Sequence, residues 1–176
     1  MKRYHALAIL AIALGACVGI ATIAERRADH AQPRAAIAEA ITVGADSAAR
    51  ASEEQAVSVF LQQQRVITQA QLARAIVNVT RDRREQRLLA SVAVVESRGN
   101  PLAIGKRGER GAYQVRPDLH GPVPADINGQ TEQALAILRN NTDRYGIRAG
   151  VRIYNGSGPK AERYATTVLA YAGEIQ

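Results

Sequence analysis

Residues 82–101 read DRREQRLLASVAVVESRGNP, and this stretch decides the fold. Asp82 is suited to cap a helix, and Glu85, three positions later, can complete a capping box. Gly99 favours a left-handed residue at the helix end, and Pro101 prevents the helix from continuing. The stretch therefore predicts a helix over residues 83–97 whose two ends are set by its own sequence.

Glu96 lies at the C-terminal end of this predicted helix, on or beside its apolar face. Leu88 and Val92 precede it at intervals of four residues, which places the three side chains in one row. Partial burial and the negative end of the helix dipole both disfavour an ionised carboxylate, so they raise its pKa. Such a group can act as a general acid near neutral pH. The alternative is a solvent-exposed glutamate at a frayed helix end, and the helix alone does not decide between the two.

A glycine-rich loop follows the helix. Gly105, Gly108 and Gly111 punctuate a polar segment, and Tyr113 and Gln114 come directly after it. Glycines let the backbone approach a ligand closely, while tyrosine and glutamine can stack on and hydrogen-bond a sugar. The loop lacks the Gly-Lys-Ser/Thr ending and the preceding strand of a phosphate-binding loop. The glycines alone would indicate only a turn-rich hairpin.

Helix signals dominate the rest of the chain. The hydrophobic spacing and the caps predict helices over about residues 69–79, 83–97, 130–145, 147–154 and 159–172. The only strand candidates flank the glycine-rich loop and make at most a short β-hairpin. The expected fold class is therefore mainly α.

The composition excludes several kinds of site. Cys17 is the only cysteine, so the chain forms no internal disulfide and no multi-cysteine zinc or iron–sulfur site. The three histidines are scattered along the 176 residues, and we expect neither a metal nor another cofactor. The net charge of +7 suits a polyanionic partner. Nucleic acid is not expected, because no dense basic run or basic segment interleaved with aromatics is present.

The amino terminus has the pattern of an export segment. Lys2 and Arg3 precede a charge-free run, residues 6–24. As a helix this run would be about 28 Å long, marginally enough to span a bilayer. Three fates stay open: an uncleaved membrane anchor, cleavage after residue 24, or lipidation of Cys17, which ends a lipobox-like sequence. The expected location is the periplasm or cell envelope, with inner-membrane association through residues 6–24 left open.

The remaining chain divides into two parts. Residues 25–68 contain a charged segment followed by an Ala- and Gln-rich one, which predicts a linker and a helical spacer without visible chemistry. Residues 69–176 contain every motif described above, so we expect the functional domain to cover them.

Three motifs in order resemble those of the soluble-lytic-transglycosylase-like family. Residues 96–101 match Glu-Ser-x-x-Asn-Pro, and residues 108–114 match Gly-x-x-Gly-x-x-Gln. Residues 154–156 are similar to the family's Ala-Tyr-Asn-x-Gly. Each motif is weak alone, but three in order are fairly specific. The resemblance covers about residues 69–171 and implies a small lysozyme-like domain.

The resemblance also implies a cell-wall enzyme. It implies cleavage of the β-1,4 bond between N-acetylmuramic acid and N-acetylglucosamine in peptidoglycan strands, with a 1,6-anhydro product. Glu96 would act as general acid and then as general base. The substrate would be bound by Ser97, Tyr113, Gln114, Tyr154 and Asn155.

The sequence departs from the family pattern in two places. The family's usual Leu-Met is Ala-Tyr at residues 112–113, which is expected to alter one wall of the sugar cleft. The family's Asn-Ile-x-x-Gly helix start corresponds to residues 130–134, which lack an asparagine and a glycine that help to shape the site. Ile153 in place of alanine is a milder change. Subsite preference is therefore left open.

Other functions also stay open. A hydrolytic muramidase would need a second acid, for which Glu109, Asp118 and Asp126 are the candidates, although each also suits a loop or capping role. A non-catalytic glycan-binding or assembly component would keep the fold without the reaction. A basic helical protein that binds another polyanion is the third alternative.

Overall fold

A computed structural model describes residues 34–175 of the chain. The expected export segment, its Cys17 and the start of the linker lie outside the described residues. The chain divides into two compact units, Met1–Ala48 and Ala49–Gln176. In the first unit, residues 34–48 are helical and almost entirely exposed. No helix within residues 34–175 is long and apolar enough to cross a membrane.

Seven helices account for most of the described chain, which confirms the mainly α prediction. The first, α1, covers residues 34–63. The others are α2 (Gln69–Val79), α3 (Arg83–Ser97), α4 (Pro117–His120), α5 (Ile127–Tyr145), α6 (Ile147–Asn155) and α7 (Gly158–Glu174). The bounds of α2 and α3 are those predicted from the sequence.

The second unit begins at Ala49, whereas the sequence placed the domain start at residue 69. Val57, Phe60 and Leu61 on α1 and Val66 after it are buried in the core of this unit. The end of α1 therefore belongs to the folded domain rather than to a spacer. Its apolar residues are few among Ala and Gln, so the sequence did not distinguish a packed helix from a solvated one.

The caps explain where α3 and α5 begin. Asp82 Oδ1 accepts hydrogen bonds from the backbone N–H groups of Arg84 (2.7 Å) and Glu85 (3.4 Å). The predicted return of the Glu85 side chain to Asp82 is wrong, because Glu85 binds Thr80 and Arg139 instead. In α5, Asp126 accepts from the N–H of Gly129 at 2.9 Å, so this helix starts three residues before the predicted position.

The core of the second unit is aliphatic and centred on α3. This helix packs against α2, α5 and α7. The fully buried side chains of this core include Leu72 and Ile76 of α2, Leu89 and Val92 of α3, Val151 of α6 and Val168 of α7. Because three helices surround α3, its C-terminal residues are held in a fixed position within the domain.

The segment between α3 and α4 contains no strand. Two isolated antiparallel bridges join Arg110 to Ile104 and to Val115. The hairpin allowed by the sequence is thus reduced to single bridges, and the segment is organised mainly by turns and side-chain hydrogen bonds.

Candidate active-site cleft

An open cleft of about 330 Å³ lies beside the C-terminal end of α3. Its walls come from that helix end, the loop of residues 107–116, α4, one side of α5 and the end of α6. Four of the predicted site residues line it, namely Glu96, Gln114, Tyr154 and Asn155. Residues that were not predicted also line it, among them Arg107, Arg116, His120 and Asn141.

Glu96 is half-buried at the last turn of α3. Burial, which disfavours the charged form, is the main cause that raises the pKa of its carboxyl to about 7. The negative charge of Glu109 raises it further, while Tyr164 and Lys160 act in the opposite direction. The carboxyl thus exchanges its proton near neutral pH, as a group that serves alternately as acid and base requires.

Tyr164 on α7 was missed as a site residue. Its side chain is buried, and its hydroxyl interacts with Glu96 closely enough to lower the pKa of that carboxyl. The contact is looser than a formed hydrogen bond, since the hydroxyl has no partner at hydrogen-bond geometry among the described residues. In the sequence, Tyr164 is one more apolar position of an amphipathic helix, and nothing distinguishes it from a core residue.

Tyr154 supports the cleft from α6. Its hydroxyl donates a 2.9 Å hydrogen bond to the backbone carbonyl of Tyr113. Burial, followed by the nearby charge of Glu96, raises the pKa of Tyr154 well above its usual value, so it remains a neutral donor. This bond ties the end of α6 to the loop that follows the glycine-rich segment.

Tyr113 does not contact the cleft with its side chain. The ring is fully buried, and its hydroxyl donates to Thr131 Oγ1 at 3.2 Å inside the domain. The prediction that this ring stacks on a sugar is therefore wrong, and so is the prediction that residues 112–113 alter a cleft wall, because Ala112 is also fully buried. The aromatic ring instead fills the space beneath the loop.

Ser97 holds the loop rather than lining the cleft. Its hydroxyl donates to the carbonyl of Ala112 at 2.7 Å and accepts from the N–H of Asn100 at 3.0 Å. Gln114 does line the cleft, but its amide Nε2 donates to the carbonyl of Gly111 at 3.0 Å. The backbone of Gln114 is left-handed (φ 48°), which is uncommon for a residue other than glycine.

Gln130 fixes three loop segments from inside α5. Its Oε1 accepts from the N–H of Ala112 at 2.8 Å, and its Nε2 donates to the carbonyls of Pro101 and Pro124 at 3.0 Å each. Only 3% of Gln130 is exposed. A Cβ on Gly111 would lie 2.4 Å from Gln130 Oε1, so the glycine permits this close packing. The buried Gln130 side chain therefore organises the loop.

The three alternative acids lie in different environments. Glu109 lines the same cleft as Glu96, and hydrogen bonds from its own N–H and that of Arg107 lower the pKa of Glu109. Asp118 is exposed and paired with Arg116, and Asp126 caps α5. Of the three, only Glu109 shares the cleft with Glu96, so two carboxyl groups with oppositely shifted pKa values line it.

The described residues offer no ready metal site. Within residues 34–175, no group of three or more His, Cys, Asp or Glu side chains lies close enough together to hold a metal ion. The cleft instead offers acid–base groups, amides and hydroxyls. Comparison of the chain with family models, with curated proteins and with solved structures finds no significant match.

Proposed function

We propose that the protein is a peptidoglycan lytic transglycosylase with a lysozyme-like catalytic domain and Glu96 as its acid–base residue. The observation that carries the proposal is the half-buried carboxyl of Glu96, which lines an open cleft and has a pKa raised to about 7. At neutral pH about half of the molecules carry the proton needed for the first step. The three ordered motifs of the sequence support the choice of substrate.

The first step would transfer the Glu96 proton to the glycosidic oxygen between N-acetylmuramic acid and N-acetylglucosamine. The bond from that oxygen to the anomeric carbon breaks, and the N-acetylglucosamine chain leaves with a hydroxyl group. Burial of Glu96 favours the protonated acid before transfer. Proton transfer of this kind contributes typically about a hundredfold or more to the rate.

In the second step the Glu96 carboxylate accepts a proton from the C6 hydroxyl of the same muramyl residue. The C6 oxygen then bonds to the anomeric carbon and closes a 1,6-anhydro ring. Glu96 is protonated again, and no water is consumed. An internal nucleophile has a high effective concentration, so no further side chain is required to position water.

The rest of the cleft would hold the sugar in place. Asn155 and Gln114, which both line the cleft, would contact the N-acetyl and hydroxyl groups of the glycan through their amide groups. Tyr154 and Ser97 fix the walls through the loop carbonyls of Tyr113 and Ala112. The basic export-like amino terminus and the net positive charge fit a substrate in the anionic cell envelope.

A hydrolytic muramidase is the second candidate, and the position of Glu109 favours it. Most glycosidases use two carboxyl groups, one protonated and one ionised. Glu96 and Glu109 line the same cleft, and their pKa values are shifted in opposite directions. In this mechanism Glu109 would activate a water molecule or stabilise the positive charge that develops on the sugar.

Digestion of purified sacculi by the full chain in detergent distinguishes the two reactions. Mass spectrometry of the products is expected to show anhydro-muropeptides, whereas hydrolysis would give reducing ends that are heavier by one water. The Glu96→Gln variant should lose either activity, and Glu132→Gln, on the exposed side of α5, is the matched control. Cleavage that survives in Glu96→Gln would contradict the role of Glu96. Retention on sacculi without any product would indicate a glycan-binding protein instead.

A further inference from the structure

A second groove lies where α1 and α3 end beside α7. It has a volume of about 420 Å³ and shares no lining residue with the cleft. Val94 and Val95 form its floor, and Arg65, Arg98 and Tyr171 border it. The same helix therefore contributes Glu96 to the cleft and its neighbours to this groove.

Two arginines at the groove have the same unusual backbone conformation. Arg65 (φ 57°) and Arg98 (φ 55°) are both left-handed, a conformation that residues other than glycine rarely adopt because of steric strain. After α1, the N–H of Val66 donates to the carbonyl of Leu61, and the N–H of Arg65 donates to the carbonyl of Gln62. In a helix end with this pair of hydrogen bonds, glycine is the usual residue at the position of Arg65. Arg98 is the cap of α3. A cation in the last turn of a helix interacts favourably with the helix dipole without a left-handed backbone. The dipole therefore does not explain why arginine occupies these two positions.

Both guanidinium groups are available for a ligand. Both residues are exposed, and neither forms an ion pair or a side-chain hydrogen bond within residues 34–175. This contrasts with Arg107 and Arg116 of the cleft, which are paired with Glu109 and Asp118. An unpaired guanidinium presents a planar fork of donors that matches a carboxylate.

The other groups at the groove suit a polymer with sugar and amide character. Tyr171 forms a wall held edge-on against Phe60, with ring centroids 6.0 Å apart. Gln63 and Gln64 add amide groups, and Thr167 adds a hydroxyl. Aromatic rings contact sugar faces, and amides and hydroxyls form hydrogen bonds with acetamido and peptide groups. The groove thus combines two free cations with neutral hydrogen-bonding groups.

We propose that this groove is a second binding site, which takes the carboxylate-bearing muramyl peptide of a peptidoglycan strand. The choice of polymer rests on the proposed function, whereas the anionic chemistry rests on the two arginines alone. A strand bound here would lie outside the cleft and would keep the enzyme on its polymer between cleavage events.

The left-handed backbone at Arg65 and Arg98 allows a variant that removes both charges without adding backbone strain. Glycine adopts positive φ without steric cost, so Arg65→Gly with Arg98→Gly removes both charges and relieves the left-handed strain. We expect the Tm of this double variant to be no lower than that of the wild type. Arg84→Gln with Arg144→Gln, on exposed parts of α3 and α5, removes the same charge elsewhere and is the control.

Methyl NMR of the full chain in detergent micelles reports the two sites separately. Val94 and Val95 report the groove, and Ile137 and Ile153 report the cleft. A soluble disaccharide-peptide from peptidoglycan should shift the Val94 and Val95 methyl signals, while neutral chitotetraose should not. The glycine double variant should bind the disaccharide-peptide about tenfold more weakly at the groove, and the control variant should bind it as the wild type does.

Three results would overturn the proposal. These are shifts confined to Ile137 and Ile153, unchanged groove binding in the glycine double variant, or glycerol phosphate binding the groove more tightly than the disaccharide-peptide. The last result would assign the groove to a phosphate polymer. Failure of the proposed function is a separate outcome. Shifts of the Val94 and Val95 methyl signals without any digestion of sacculi would support the binding site and contradict the proposed reaction.

Discussion

The charge of Glu109 raises the pKa of Glu96 across the cleft that both side chains line. Glu109 itself is kept ionised by backbone N–H groups of its own residue and of Arg107, so its charge is present when Glu96 exchanges its proton. The two carboxyl groups therefore act as a unit in which one residue tunes the other.

Glu109→Gln should move the pH profile of cleavage to lower pH. The substitution removes a negative charge that favours the protonated form of Glu96, so the pKa of Glu96 falls and the acid is lost at a lower pH. We expect the alkaline limb of kcat/KM to shift by less than about one pH unit while anhydro products persist. Glu132→Gln is the control. Loss of all cleavage in Glu109→Gln would instead assign Glu109 a direct part in the reaction.

Tyr164→Phe should shift the alkaline limb of the kcat/KM profile to higher pH. The Tyr164 hydroxyl lowers the pKa of Glu96, so its removal raises that pKa and extends activity to higher pH. Stability should be unchanged or slightly higher, because the buried hydroxyl lacks a well-formed hydrogen bond. Tyr154→Phe is the contrasting variant: it loses the bond to Tyr113 and about 1 kcal/mol of unfolding free energy, without moving the limb. A limb that shifts equally in both variants would contradict this assignment.

Local signals account for what the sequence predicted well. Asp82 caps the start of α3 as predicted, because a cap acts within one helical turn, and Glu96 follows from the row of apolar residues that leads to it. At the other end the left-handed cap is Arg98 rather than the predicted Gly99, which follows it and is also left-handed (φ 70°). Its raised pKa was also predicted, and burial proves to be its first cause.

Long-range contacts account for what the sequence did not show. Tyr113 looks like a sugar-stacking residue beside a glycine-rich loop, yet its ring is buried in the core and its hydroxyl donates to Thr131 on α5, 18 residues away in the sequence. Tyr164 and Glu109 approach Glu96 from α7 and from the loop, and neither carries a spacing pattern that indicates this. Tertiary packing, rather than local sequence, decides which polar groups meet in the cleft.

Gln130→Ala should reduce both stability and activity. It leaves the buried N–H of Ala112 and the carbonyls of Pro101 and Pro124 without their partner, at a cost of about 2–4 kcal/mol of unfolding free energy. The loop that carries Gln114 loses its support, so kcat should fall more than KM rises. Gln133→Ala is the control, because its Nε2 bonds lie in an exposed setting. Equal effects of the two substitutions on urea unfolding and on kcat would contradict the role of Gln130.

Gly111→Ala should resemble Gln130→Ala for a different reason. The new Cβ would lie within 2.4 Å of Gln130 Oε1, and the backbone there is left-handed (φ 77°), which disfavours alanine. Gly108 has a similar conformation (φ 84°) but open space around it, so Gly108→Ala carries only the conformational cost. We expect Gly111→Ala to lower the unfolding free energy by about 1–3 kcal/mol more than Gly108→Ala, measured in urea. A smaller loss in Gly111→Ala than in Gly108→Ala would show that the contact with Gln130 is not tight.

The stability of the Glu96→Gln variant relative to the wild type should increase as the pH rises. The pKa of Glu96 is about 7 in the folded protein and near 4.5 in the unfolded chain, so between these values the folded state binds more protons. The contribution of Glu96 to the unfolding free energy of the wild type therefore falls as pH rises from 4.5 to 7 and is lost above pH 7. Glutamine carries no titrating proton, so the unfolding free energy of Glu96→Gln does not decrease in this way. We expect a relative gain of about 3 kcal/mol in urea unfolding at pH 8 compared with pH 4, with Glu132→Gln as the control. The same difference between variant and wild type at both pH values would show that the carboxyl is not held in a desolvated position, and would remove the basis for its role as the acid.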